Sequence, residues 1–328
     1  MSLAKGRRHG SPTVRRTLSD IAVAMLVVSG ACRPELDDRT SRVDRLRVLA
    51  VRSEPAEAAP GASVRFAVLV GDASGTRRDL APSLAFCSRR KALAESSKVS
   101  PSCLDDSAVE RVDTSLVGVL PQGACGLFGP ERAASADGQP SGRPADPDAT
   151  GGYYQPGRVR LAVPTPETTI FEVRTTCGLP GATLEVVSNF GRRYRANQNP
   201  EITLTLDDRP LADAAEIEAA PGESLRFVVA WPSCEGGAPC GGAEPYVAFE
   251  PASRTLVNRR EAMRVSWLAT DGTWAEDRTG RDENDVGQRT ENAWTAPTST
   301  VGSPVTLWAV LRDTRGGVAF TSVRVRVR

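Results

Sequence analysis

The stretch EAAPGASVRFAVLV, residues 57–70, returns as EAAPGESLRFVVAW at residues 218–231. Aligned without gaps, the copies agree at nine of fourteen positions, among them Glu57/Glu218, Pro60/Pro221, Gly61/Gly222, Arg65/Arg226 and Phe66/Phe227. Pro-Gly is the pair suited to the centre of a type II turn, because Pro fixes φ near −65° and Gly accepts φ > 0. A strand should follow the turn, and period-two alternation supplies one. Val64, Phe66, Val68 and Val70 fall on one face of the first copy, Leu225, Phe227, Val229 and Trp231 on the same face of the second. The other face carries Ser63 and Arg65, or Ser224 and Arg226, as a half-solvated antiparallel strand requires. The repeat therefore marks a duplicated structural unit.

Outward from each copy the chain reads as further short strands separated by Pro and Gly turns. The first half offers residues 43–55, 83–86, 157–164, 169–176 and 182–188 (ATLEVVS); the second offers 201–206, 246–250, 263–269, 305–313 and 318–327. This pattern predicts an all-β fold of two tandem β-sandwiches, over 43–198 and 199–328. The first carries a long irregular insertion, about 88–152, in which the Pro-, Gly- and Asp-rich tract 129–150 is expected to be disordered.

The first 32 residues read as an export signal. Lys5, Arg7, Arg8, Arg15 and Arg16 precede the apolar run IAVAMLVVSGA, residues 21–31, which is too short for a finished transmembrane helix and ends at Cys32. Gly30, Ala31 and Cys32 resemble a bacterial lipobox, with Ser29 where an aliphatic residue is usual; Ser29 and Ala31 also suit ordinary signal peptidase. Arg15-Arg16 invites a twin-arginine route, but the following Thr-Leu-Ser matches it poorly. Seven cysteines are present, and lipidation of Cys32 leaves an even six for disulfides in an oxidising compartment. The pairings expected are Cys87 with Cys103, Cys125 with Cys177, and Cys234 with Cys240. Residues 33–42 then form a tether, and the protein is expected at the cell envelope, lipid-anchored at the outer membrane, or else secreted or periplasmic.

Charge and chemistry narrow the function. With 41 Lys+Arg against 40 Asp+Glu, no bulk field favours nucleic acid. The only histidine, His9, lies in the leader, which removes His-dependent triads and most zinc sites from the mature chain. Ser88 and Lys91 match S-x-x-K without the companion motifs of penicillin-recognising enzymes. The acidic loop 271–287 offers Asp277, Asp282 and Asp285 as weak Ca²⁺ ligands, but the D-x-D-x-D-G spacing is absent and Arg278 and Arg281 intervene. No cofactor or firm metal site is expected. Of the five tryptophans, Trp267 and Trp308 are expected in the core, whereas Trp274 and Trp294 are candidates for an exposed sugar platform. The tail SVRVRVR reads as a final strand whose arginines guard an open edge.

The segments SWLATDGTW (266–274), ENAWTAP (291–297) and SPVTLWAVLRDTRGGVAFTSVRVRV (303–327) resemble bacterial immunoglobulin-like and PKD-like modules. The layout as a whole, with GGYYQPGRVRLAV at 151–163, resembles lipoproteins of myxobacteria and related groups. The resemblance implies a sandwich and carries no activity. The expected function is a non-catalytic envelope protein that presents its modules to another protein or to the matrix, with carbohydrate binding as the alternative and hydrolysis disfavoured.

Overall fold

The computed structural model describes residues 40–90, 99–129, 152–162, 167–179, 182–235, 240–250, 252–299, 302 and 304–328. Each copy of the repeat sits at the start of a β-sandwich. In the first, β1 (Arg47–Glu54), β3 (Ser63–Asp72), β4 (Gly75–Thr76) and β7 (Val117–Val119) form one sheet, with β3 central. The facing sheet runs β2-β9-β8-β5-β6, from β2 (Glu57–Ala58), β5 (Pro82–Cys87), β6 (Val109–Arg111), β8 (Tyr153–Leu161) and β9 (Glu167–Thr175). A short helix, α1 (Ala124–Phe128), follows β7.

The second sandwich repeats this plan. One sheet runs β11-β10-β13-β19-β17, from β10 (Thr203–Leu206), β11 (Arg209–Leu211), β13 (Ser224–Ala230), β17 (Thr273–Trp274) and β19 (Arg289–Thr295). The other runs β12-β21-β20-β16-β18, from β12 (Ala215–Ala219), β16 (Met263–Ala269), β18 (Arg278–Arg281), β20 (Pro304–Asp313) and β21 (Val318–Val327). Strand for strand, β2-β9-β8-β5-β6 corresponds to β12-β21-β20-β16-β18. This is an immunoglobulin-like order. The hairpin of β14 (Pro245–Glu250) and β15 (Thr255–Arg260) is an addition to the second sandwich alone.

The duplication holds at the level of single hydrogen bonds. In each copy the residues before Pro-Gly pair in parallel with the last strand of the sandwich, β2 with β9 and β12 with β21. The turn closes through Ala62 N to Ala59 O and Glu223 N to Ala220 O, both 3.0 Å. Gly61 and Gly222 take φ of +79° and +76°, which a side chain would strain. Leu120 N then bonds Ala62 O as Ala296 N bonds Glu223 O, so each turn docks on the residue before the next Pro.

Three apolar layers separate the four sheets. Phe66, Phe86 and Phe171 anchor the first sandwich, with ring centroids 5.3 to 6.5 Å apart. Phe227, Trp267 and Trp274 anchor the second. The third layer is a seam between the sandwiches: Leu49, Ala50 and Leu69 of β1 and β3 meet Leu268, Trp308, Val310 and Val318 of β16, β20 and β21. The seam explains two departures from simple alternation, the burial of Leu69 on the otherwise exposed face of β3 and the unbroken burial of Val305 to Leu311. Gly71 is required beside it, since a Cβ there would lie 2.9 Å from Leu49 Cδ1 and 3.2 Å from the Trp308 ring.

Two expectations are corrected. Residues 182–188, read as a strand, begin a helix, α2 (Leu184–Arg193), because Thr183 caps Val186 N and Arg192 and Arg193 suit the C-terminal end of the dipole. The irregular insertion read over about 88–152 contributes the short strands β6 and β7 to the sandwich, and the disorder expected over 129–150 falls almost wholly outside the described residues. The tail strand β21 is not an edge: β12 covers it, with Arg324 paired to Glu216 at 3.6 Å and Arg328 to Glu218.

Candidate functional site

The structure disperses most residues singled out in the sequence. Trp274 and Trp294 face each other across β17 and β19 and are 6% and 0% exposed, so they form no sugar platform. Their register places them inward, where Trp294 Nε1 donates to Asp271 O at 3.1 Å and Trp274 stacks on Trp267. Trp308 is buried as expected, but in the seam, where its Nε1 donates to Thr76 Oγ1 of the first sandwich at 2.8 Å. Asp277 accepts from Thr40 Oγ1, Asp282 pairs with Arg264, and Asp285 pairs with Arg281. The three carboxylates thus serve separate partners, and no group of three or more His, Cys, Asp or Glu fit for a metal occurs among the described residues.

Cys125 is joined to Cys177 and Cys234 to Cys240. The bridge expected between Cys87 and Cys103 is not formed. Both are buried thiols, hydrogen-bonded to each other, and Cys103 Sγ also points to Arg89 O at 3.9 Å. That mutual hydrogen bond, with burial, holds the Cys87 thiol above its ordinary pKa. Cys32 and Lys91 lie outside the described residues.

The densest chemistry is a buried ionic bridge that no motif announced. It is threaded by the linker after α2. Glu57, from the repeat, accepts from Arg174 Nε (3.1 Å), Thr176 Oγ1 (2.9 Å), Asn197 N (2.9 Å) and Tyr194 OH. Asn197 then gives its side-chain amide to Asp313 at 3.2 Å, linking a carboxylate of each sandwich. Asn199 repeats the move, donating to Ser53 O at 2.6 Å and accepting from Val318 N at 2.9 Å. Beside Asp313, the buried Arg315 donates to Glu261 at 2.6 Å, Glu244 at 2.9 Å and Arg195 O at 2.8 Å. Two carboxylates share this one guanidinium and Asp313 accepts from the Arg315 backbone N, so desolvation, together with repulsion from Asp313, pushes Glu261 up to about 8. Burial raises Glu244 and Asp313 as well. Bonds joining Asn197 to Glu57 and Asp313, and Asn199 to Ser53 and Val318, hold the sandwiches together.

An accessible site lies at one mouth of the seam. A cleft of about 710 Å³ opens between β1 and the sheet of β16, β18 and β20. Four arginines line it: Arg47, Arg264, Arg278 and Arg312, with Ser266 and Thr279 and an apolar floor of Leu49 and Leu268. Among the described residues, no acidic side chain is in the lining. Arg264 has Asp282 at its rim, whereas Arg278 and Arg312 have no carboxylate partner among the described residues. Arg312 is half-buried and, among the described residues, donates to Leu49 O (3.1 Å) and Ser266 Oγ (3.5 Å). Burial and the nearby Arg278 guanidinium both disfavour its charge. The cleft of about 300 Å³ at the opposite mouth differs, because its Arg77 is neutralised by Asp72 and Asp79 and its Arg78 faces Asp213.

No protein-family model matches the chain, and no curated protein matches it at a significant level. Among solved structures it is similar to a nucleoside hydrolase-related hypothetical protein from Saccharophagus degradans, at 11% identity over 48% of this chain and 35% of that one, TM-score 0.24. It is also similar to the Yersinia pseudotuberculosis adhesin InvE, at 8% identity over 85% and 58% with a TM-score of 0.23. The three N-terminal domains of the bacteriophage RB49 outer capsid protein Hoc align at 9% identity over 87% and 70%, TM-score 0.19. The chain spans less than two thirds of the first two. Scores this low leave the assignment of fold to the strand order itself, which is immunoglobulin-like in both sandwiches.

Proposed function

We propose that the protein is a non-catalytic interaction module of the cell envelope, lipid-anchored through Cys32, in which two immunoglobulin-like sandwiches are presented as one rigid body. The observation that carries this reading is the double lock between the sandwiches, an apolar seam around Trp308 and a buried ionic bridge through Asn197. A hinged pair of modules would expose that surface; here it is committed to holding one orientation. The buried carboxylates Glu244, Glu261 and Asp313, all raised, are occupied by partners. Of the tether read over residues 33–42, Ser41 already pairs with Ala269 of the folded body, and the outer membrane is the location proposed because Arg33 rather than Asp follows Cys32. Metabolic labelling with a fatty-acid analogue tests the anchor: wild type takes up label and sediments with membranes, whereas Cys32→Ala does neither. Equal behaviour of the two chains ends the lipoprotein reading. Pull-down from envelope extracts with the intact body and with Trp308→Ala tests presentation, since a partner that reads both sandwiches is lost when their orientation is released.

A further inference from the structure

Register places three arginines on one face of three adjacent strands. On β16, Arg264 stands opposite Arg312 of β20, and two residues along, Ser266 stands opposite Arg278 of β18. Like charges directly opposite each other in a sheet are destabilising. On β21, by contrast, Arg324 stands opposite Glu216 of β12 and pairs with it at 3.6 Å. In the cleft Asp282 meets Arg264 alone, so Arg278 and Arg312 keep two charges that no carboxylate among the described residues balances. Ser266 lies between these two: its Oγ accepts from Arg312 at 3.5 Å, which leaves its own O–H to donate. Arg47, on the β1 wall, already donates to Thr40 O at 2.9 Å, and the site is built without it. An anion seated here would offset the burial and the repulsion from Arg278 that together lower the Arg312 pKa.

We infer that Arg278, Arg312 and Ser266, with Arg264 at the margin, form a binding site for a soluble phosphate monoester, a doubly charged oxyanion carrying a small organic group. Two unbalanced guanidiniums call for two negative charges, which a phosphate monoester carries near neutral pH and a carboxylate or sulfate ester does not. Its three terminal oxygens accept hydrogen bonds, matching guanidinium forks and a hydroxyl donor. The cleft, at about 710 Å³, has the volume of a small-molecule site and exceeds what a phosphate alone would fill. Leu49 and Leu268 floor the remainder and supply apolar contact for the organic group. The site is independent of an anchor at Cys32.

The test titrates phenyl phosphate and phenyl sulfate into the full chain carrying Cys32→Ala, at about pH 7.5, where the phosphate ester is doubly charged. Isothermal calorimetry is the readout. Phenyl phosphate is expected to bind saturably, and phenyl sulfate, of the same shape with one charge, about tenfold more weakly. Arg278→Gln and Arg312→Gln should each weaken phenyl phosphate binding about tenfold. Arg326→Gln on β21, outside the cleft lining, should bind as the parent does. Arg278 is exposed, so its substitution leaves the fold intact and keeps the test decisive even where Arg312→Gln unfolds. No binding of phenyl phosphate, equal binding by Arg278→Gln and the parent, or equal affinity for the sulfate overturns the proposal. Co-sedimentation of the chain with phosphatidic acid vesicles also overturns it, replacing the soluble ester by a lipid-borne one.

Discussion

Glu57 and Glu218 occupy the same place in the two copies of the repeat, yet Glu57 is sealed against Arg174 and Glu218 lies in solvent against Arg328. The duplicated residue kept its backbone role in both sandwiches and acquired a second role in one. Because Glu57 accepts from four groups, all of them outside its own strand, its charge fixes β9, Tyr194 and the linker together.

Substitution separates the two roles. Glu57→Gln leaves Arg174 buried without its counter-charge and is expected to cost about 3–5 kcal/mol. Glu218→Gln removes an exposed pair and should cost less than about 1 kcal/mol. Urea unfolding of both variants gives the comparison; similar midpoints would mean that the buried pair contributes no more than the exposed one.

The cluster around Arg315 sets a pH dependence. The folded-state pKa of Glu261 is raised from 4.5 to about 8. Between those values the folded chain keeps a proton that the unfolded chain has released. Stability therefore falls as pH rises through this window, by up to about 1.4 kcal/mol per unit, and levels off above it. Glu244 and Asp313, also raised, act in the same direction. Thermal melts from pH 5 to 8.5 should show the decline, and Glu261→Gln should flatten it. An unchanged slope in the variant would place the proton elsewhere.

Trp308→Ala opens a cavity in the seam and is expected to cost about 3–5 kcal/mol. Because the loss falls between the sandwiches rather than within either, calorimetry should show one transition in the parent and two in the variant. A single transition shifted down would mean that the ionic bridge alone maintains coupling.

Cys87 and Cys103 are both fully buried and in contact. Iodoacetamide should modify neither in the folded protein and both after denaturation. Refolding in diamide should join them to each other, with peptide mapping as the readout. A bridge from either to Cys125 or Cys177 would contradict the neighbourhood described.

The repeated turn-strand unit was legible because its information is local: Pro-Gly sets a backbone, and alternation sets a face. Both survive intact at Gly61/Gly222 and Phe66/Phe227. The seam was only half legible. The run VTLWAVL, residues 305–311, breaks alternation because its sheet is covered on both faces, and that continuity is the sequence signature of double burial. Trp274 was ambiguous since β17 has two residues and offers no period to read, and Trp294 because the other inward positions of β19, Thr290 and Asn292, are polar. The ionic bridge and the arginine cleft were not legible at all. Asn197 joins Glu57 to Asp313 across sequence gaps of 140 and 116 residues, and no spacing rule spans such distances.

Before the chain enters β1, Ser41 and Val43 clasp Ala269 at the end of β16, through Ala269 N to Ser41 O and Val43 N to Ala269 O, both 2.8 Å. The first described segment of the first sandwich is thus hydrogen-bonded to the second. Any pull arriving along the chain from its N-terminal side is met there first, in shear, before it can peel β1 from β3. Mechanical load is shared by both sandwiches from the outset, and the clasp is the element whose rupture decides when extension begins.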